Sequence, residues 1–262
     1  MATPQLALLA FLFLEGVSHS GEIHSIVEIL PAAEANQAAV ADAHFVYAIE
    51  SKVIAKYDRA TGQRVALSTG EASHLNSGAW WEGRIYCAHS NFPHQPEQSE
   101  VRVLDPETMK LTVFKDLGGQ HGSLTWVVRE GETWWCTFAY YGAENSRTNL
   151  VKYDADWKEL GVWTYPAQVI ARLGKMSISG GVWQEGSLLA IDHDAREIYR
   201  LRLPAEGGVL DYLETLPAPF PGQGISLEPH TGRMVGIDRK NRMVMSASLV
   251  GSVPWLGSCG FT

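Results

Sequence analysis

Four of the nine histidines, His74, His89, His121 and His193, lie within a few residues of the start or end of a short apolar run. Imidazoles arriving from separate strands are a common way to hold a divalent transition metal with one position left open for water or substrate. The three cysteines include no CxxC pair, so a thiolate zinc site is not indicated. Nothing in the chain suggests a nucleotide cofactor. Carboxylates occupy the same kind of place: Glu50, Asp192 and Asp238, together with His193, are candidates for acid and base work. Asn76, Asn91, Tyr140 and Gln223 would bond a small polar substrate, and Arg239 offers a fork for a carboxylate. Each type also has a plainer use. A strand-end histidine can simply be hydrogen-bonded, and a strand-end aspartate often caps a turn. Trp80, Trp81, Trp126 and Trp183 can fill core or floor a sugar-stacking surface.

The elements that must position these groups are short strands. Residues 74–117 hold two apolar runs joined by a Gly turn, a polar loop, and two alternating runs split by Asp105-Pro106-Glu107-Thr108. Four strands in about forty-five residues is the size of one propeller blade. Shifted copies follow through the chain, and their second strands overlay as FVYAIES, RIYCAHS, WWCTFAY, SLLAIDH and RMVGIDR. The alignment predicts an all-β fold, a five-bladed β-propeller over residues 21–250 with four-stranded blades. The fifth unit lacks an outer strand, and residues 22–30 (EIHSIVEIL) can supply it, which removes an exposed sheet edge. Residues 166–174, with Pro first and Gly last, read as a short helix between the third and fourth blades. In such a fold the loops entering the innermost strands and leaving the second strands gather at one end of the central channel. The histidines, carboxylates, amides, Tyr140 and Arg239 named above belong to that set, and ligands favour such concave sites.

Bulk properties set limits. The chain has 262 residues, 45% of them hydrophobic, with 25 Gly and a net charge of −8. That is enough to bury a large core, and the charge argues against nucleic acid or an anionic membrane as partner. A small molecule or glycan is the expected partner; oligomeric state is not legible. An apolar run over residues 6–14, followed by small residues at 17–20, reads as a cleaved signal peptide over 1–20, although no Lys or Arg precedes it. The mature protein would then be secreted or periplasmic, free of the membrane, with residues 251–262 as a tail. Cys87 and Cys136 occupy equivalent positions in neighbouring repeats and read as small buried hydrophobes.

The outer turns Tyr57-Asp58-Arg59-Ala60-Thr61-Gly62 and Leu104-Asp105-Pro106-Glu107-Thr108 resemble those of the gluconolactonase-like, quinoprotein-like and glutamine cyclotransferase-like propellers. HLNSG (74–78), YCAHSN (86–91), DPETMKL (105–111) and SISGG (177–181) resemble a set of exported bacterial propellers, some of which carry the name cycloisomerase. The resemblance implies the fold. The Glu-Ser-Thr-Gly and Glu-Gly-Trp-Gly-Leu motifs of the cyclotransferases are absent. Two readings stand at this point. One is an exported enzyme, an isomerase, lyase or hydrolase acting on a sugar-like or sugar-acid-like molecule, with the histidine-held divalent metal as its suspected cofactor. The other is a non-catalytic propeller that binds a glycan or protein.

Overall fold

The computed structural model describes residues 22–252; the expected signal peptide and most of the expected tail lie outside the described residues. The chain opens on β1 (Glu22–Pro31) and then lays down four antiparallel sheets in sequence order. The first blade is β2 (Ala38–Ala41), β3 (Phe45–Ile49), β4 (Ile54–Asp58) and β5 (Arg64–Leu67). The second is β6 (His74–Trp81), β7 (Arg84–Ser90), β8 (Ser99–Asp105) and β9 (Lys110–Gly118). The third is β10 (Ser123–Glu130), β11 (Thr133–Ala139), β12 (Asn149–Tyr153) and β13 (Glu159–Thr164). The fourth is β14 (Ile178–Gln184), β15 (Ser187–Asp192), β16 (Glu197–Arg202) and β17 (Asp211–Pro217). The last blade, of order β1-β20-β19-β18, combines β18 (Gly222–Leu227), β19 (Met234–Asp238) and β20 (Met243–Ser252) with the N-terminal strand. The fold is the expected five-bladed propeller, closed by β1. The one α-helix among the described residues, α1 (Ala167–Ile170), falls inside the expected 166–174 span but is shorter, with Gly174 at φ +59° ending the segment.

Why the second strands read as unbroken apolar runs is clear from the packing. A strand's side chains alternate between its two faces, and in a propeller both faces of a second strand are covered by neighbouring blades. On β7, Ile85 and Cys87 pack toward the first blade while Tyr86 and Ala88 pack toward the third. On β15, Leu188 and Ala190 face the third blade, and Leu189 and Ile191 face the fifth. Five apolar clusters result, each shared by two adjacent blades. Cys87 and Cys136 are free, fully buried members of two of them, and burial pushes the Cys87 thiol up to about 12. Trp126 also lies in this core, so close to Gly181 that a Cβ there would come within 2.6 Å of its ring. The outermost strands keep one wet face, with Val65, Val113, Leu160 and Leu213 exposed.

Two further devices hold the ring together. Arg59, in the turn after β4, donates to Glu28 of β1 and to the buried Glu228 after β18, tying the first blade to the last. Along the channel the innermost strands touch almost backbone to backbone. A Cβ on Gly224 would lie 2.7 Å from the Cβ of Ala38, and one on Gly180 would lie 2.6 Å from the nitrogen of Ile225. Ser77 and Ser226 donate across this contact to the carbonyls of Ile225 and Ala39. The channel is therefore shut in its middle and becomes a pit at the end where the candidate residues lie.

Candidate functional site

That pit is a cavity of about 300 Å³ to which all five blades contribute. The first blade gives Gln37; the second His74, Asn76 and Phe92; the third Thr125 and Tyr141. The fourth gives Met176, Ser177, Ser179 and His193, and the fifth Gln223 and Arg239. Five of the candidates expected from sequence, His74, Asn76, His193, Gln223 and Arg239, are thus brought to one place.

His74 heads β6 and is half-buried beside the ring of Phe92, 5.5 Å away. The Asn76 amide donates to the Leu124 carbonyl at 2.8 Å, which turns its oxygen toward His74. Burial lowers the His74 pKa; the Asn76 hydrogen bond opposes this, Arg239 reinforces it and Glu50 opposes it weakly. The imidazole is neutral at pH 7, with one nitrogen engaged by Asn76 and a lone pair on the other. Across the pit Arg239 donates from Nε to Asn36 Oδ1 at 3.0 Å, and its Nη1 lies 3.1 Å from His193 Nε2. A guanidinium can only donate, so Nε2 of His193 is the acceptor in this contact, and its Nδ1 lies 2.8 Å from Asp194 Oδ2. Asn36 in turn donates to Glu50 at 3.3 Å, so the first-blade carboxylate props Arg239 at one remove. Burial pushes Tyr141 up to about 12, keeping its phenol protonated, and its ring rests on Phe92 at 4.7 Å.

Gln223 is the least settled residue of the pit. It is 4% exposed, its Nε2 has no hydrogen-bond partner, and its φ is +74°, in the region that favours glycine. Such strain costs about 1–3 kcal/mol, and an unpaired buried amide adds to it. Gln223→Gly is therefore expected to match or exceed the wild type in denaturant midpoint while weakening ligand binding. A loss of stability in urea unfolding would show instead that Gln223 serves the fold. Its neighbour Gly222, at φ +147°, is packed under the His193 loop, where a Cβ would meet the His193 carbonyl at 2.2 Å.

Several expected site residues lie elsewhere. His89 shares the face of Ile85 and Cys87 on β7, so it points toward the first blade, away from the axis. Its Nε2 accepts the Ser73 N–H at 3.0 Å, and burial, aided by Arg102 and His74, lowers its pKa to about 4. His121 bonds Glu159 of the outer strand β13 at 2.8 Å. Among the described residues no three His, Cys, Asp or Glu side chains gather as a metal would need, so the four-histidine centre expected from sequence is not assembled. Asp192 and Asp238 cap turns: Asp192 accepts the N–H groups of Asp194 and Ala195, and Asp238 accepts from Asn241. Burial raises the Asp192 pKa. Asn91 closes its own loop by bonding Pro96 and Gln98. Tyr140 is covered by the Arg147 guanidinium, 4.1 Å from its ring, and the tyrosine in the pit is the next residue, Tyr141. Phe92 and Thr125 were missed, because a phenylalanine in a loop and a threonine in a strand carry no chemical signal of their own.

No protein-family model matches the chain, and no relative is found among curated proteins. Solved structures do match. Glutaminyl cyclase from Myxococcus xanthus superposes with a TM-score of 0.60 at 13% identity, over 87% of this chain and 97% of that one. A luciferin-regenerating enzyme gives 0.45 at 11% identity over 92% and 98%, and hydrazine synthase from Kuenenia stuttgartiensis gives 0.47 at 12% over 86% and 71%. At 13% identity the likeness to the glutaminyl cyclase is one of fold.

Proposed function

We propose that the pit binds a small polyhydroxy acid and that His74 moves a proton on it. The observation carrying this reading is the pairing of a neutral imidazole with a guanidinium in one cavity. His74 keeps a free lone pair, while Arg239 bonds Asn36 and His193, neither of them a carboxylate, and still has donors left over. Arg239 would hold the carboxylate, Asn76, Ser177, Ser179 and Gln223 would meet hydroxyls, and protonated Tyr141 would donate to the oxygen on which charge develops. The half-buried wall of Phe92 and Tyr141 keeps water from the reacting carbon. That a protein named glutaminyl cyclase shares the scaffold fits a catalytic use of it, but the reaction rests on the site alone.

The test uses gluconate and glucose by calorimetry, followed by nuclear magnetic resonance in deuterium oxide. Gluconate should bind and glucose should not, and Arg239→Ala should weaken gluconate by about tenfold or more, as loss of a charged hydrogen bond does. Solvent deuterium should enter the carbon next to the carboxylate. Binding without exchange would make the protein a recognition module, and failure of every sugar acid to bind would sink the proposal.

A further inference from the structure

Beside the pit lies a second compartment of about 440 Å³, walled by His193, Asp194, Gln223, Arg239, Lys240 and Arg242 among others. His193, Gln223 and Arg239 line both chambers, so the two adjoin. Three of the four loop positions 239–242 are cationic in a chain of net charge −8. Their charges are not spent on the protein. Arg239 bonds Asn36 and His193, Arg242 reaches only the Ala35 carbonyl at 3.5 Å, and Lys240 has no side-chain partner among the described residues. The nearby Asp238 is occupied by Asn241, and Asp194, on the far wall, is turned to the His193 ring. An independent observation points the same way: the buried Gln223 amide, with no partner of its own, lies on the wall between the chambers.

We infer that the outer compartment is an anion site, and that the ligand carries a second anionic group, carboxylate or phosphate, at the end remote from the one Arg239 holds. This rests on the polyhydroxy-acid reading of the pit. Three cations facing the single carboxylate of Asp194, around an amide donor, favour anionic oxygens, and a ligand that bridges two such sites gains affinity by tethering. Three probes separate the possibilities: gluconate with one anionic group, glucarate with two carboxylates, and 6-phosphogluconate with a carboxylate and a phosphate. At least one of the two-anion probes should bind about tenfold or more tighter than gluconate. The variant Lys240→Ala/Arg242→Ala should erase that gain and leave gluconate affinity as it was. Which probe gains tells carboxylate from phosphate. Equal affinity for all three, or a gain that survives in the double variant, would overturn the inference.

Inorganic phosphate, tested by thermal shift against chloride at equal ionic strength, makes the two readings separable. Protection by phosphate that is lost in the double variant, with no binding of gluconate, would keep the anion site and discard the sugar-acid reading. Gluconate binding without either gain or protection would do the reverse. Both substituted side chains are exposed and in a turn, so the double variant is expected to fold as the wild type does.

Discussion

Glu228→Ala is expected to destabilise the protein by about 1–3 kcal/mol, the usual cost of taking one hydrogen-bond partner from a buried group that keeps others. Glu228 is 2% exposed and accepts from Arg59 and from the Thr231 hydroxyl. The Arg59 side chain is itself only 14% exposed. Deleting the carboxylate strands that guanidinium with Glu28, at the seam where the first and last blades meet. Urea unfolding gives the magnitude, and hydrogen exchange gives the location: protection should fall first along β1 and its partner β20, which together close the ring. A double change that removes both charges, Arg59→Met with Glu228→Leu, should restore part of the loss, because the guanidinium at the seam is then gone and only the partly exposed Glu28 loses its partner. A cost below about 1 kcal/mol for Glu228→Ala would mean that strand pairing alone holds the seam.

The second large effect concerns chemistry. If His74 is the base, His74→Gln should lower turnover by about 10²–10⁴-fold while substrate affinity changes little. Glutamine keeps a group that can bond Asn76 but cannot accept a proton. The pH profile adds a sign that a purely structural role would not show. Burial, reinforced by Arg239, holds the His74 pKa below the ordinary histidine range. A base works deprotonated, so the rate should stay level through neutral pH and fall only as the pH drops below that range. In His74→Gln this acidic limb should vanish with the rate. A limb centred above pH 7 would assign the base to another group.

A good part of this protein was legible in the chain. The apolar second strands, the turns between repeats and the orphan strand at residues 22–30 led to five blades and to the N-terminal closure. These features are local: a strand covered on both faces must be apolar throughout, and a tight turn needs Asp, Gly or Pro at set positions. Counting along the repeats also placed the candidate residues at one end of the propeller, and His74, Asn76, His193, Gln223 and Arg239 meet there.

Which way each side chain turns at that end was decided only in three dimensions. A strand's faces alternate with every residue, so being one position along from the pit is enough to leave it. His89 shows this: its place on β7 sends it between two blades. Tyr140 and Tyr141 show it again, the first under Arg147 and the second in the pit. Asp192 and Asp238 are drawn off by backbone N–H groups of their own turns, a competition that residue type alone does not reveal. The strained backbone at Gln223 and the chamber beside the pit arise from blades far apart in sequence being forced into contact. The chain encodes the blades one at a time; the site exists only where their edges close into a ring.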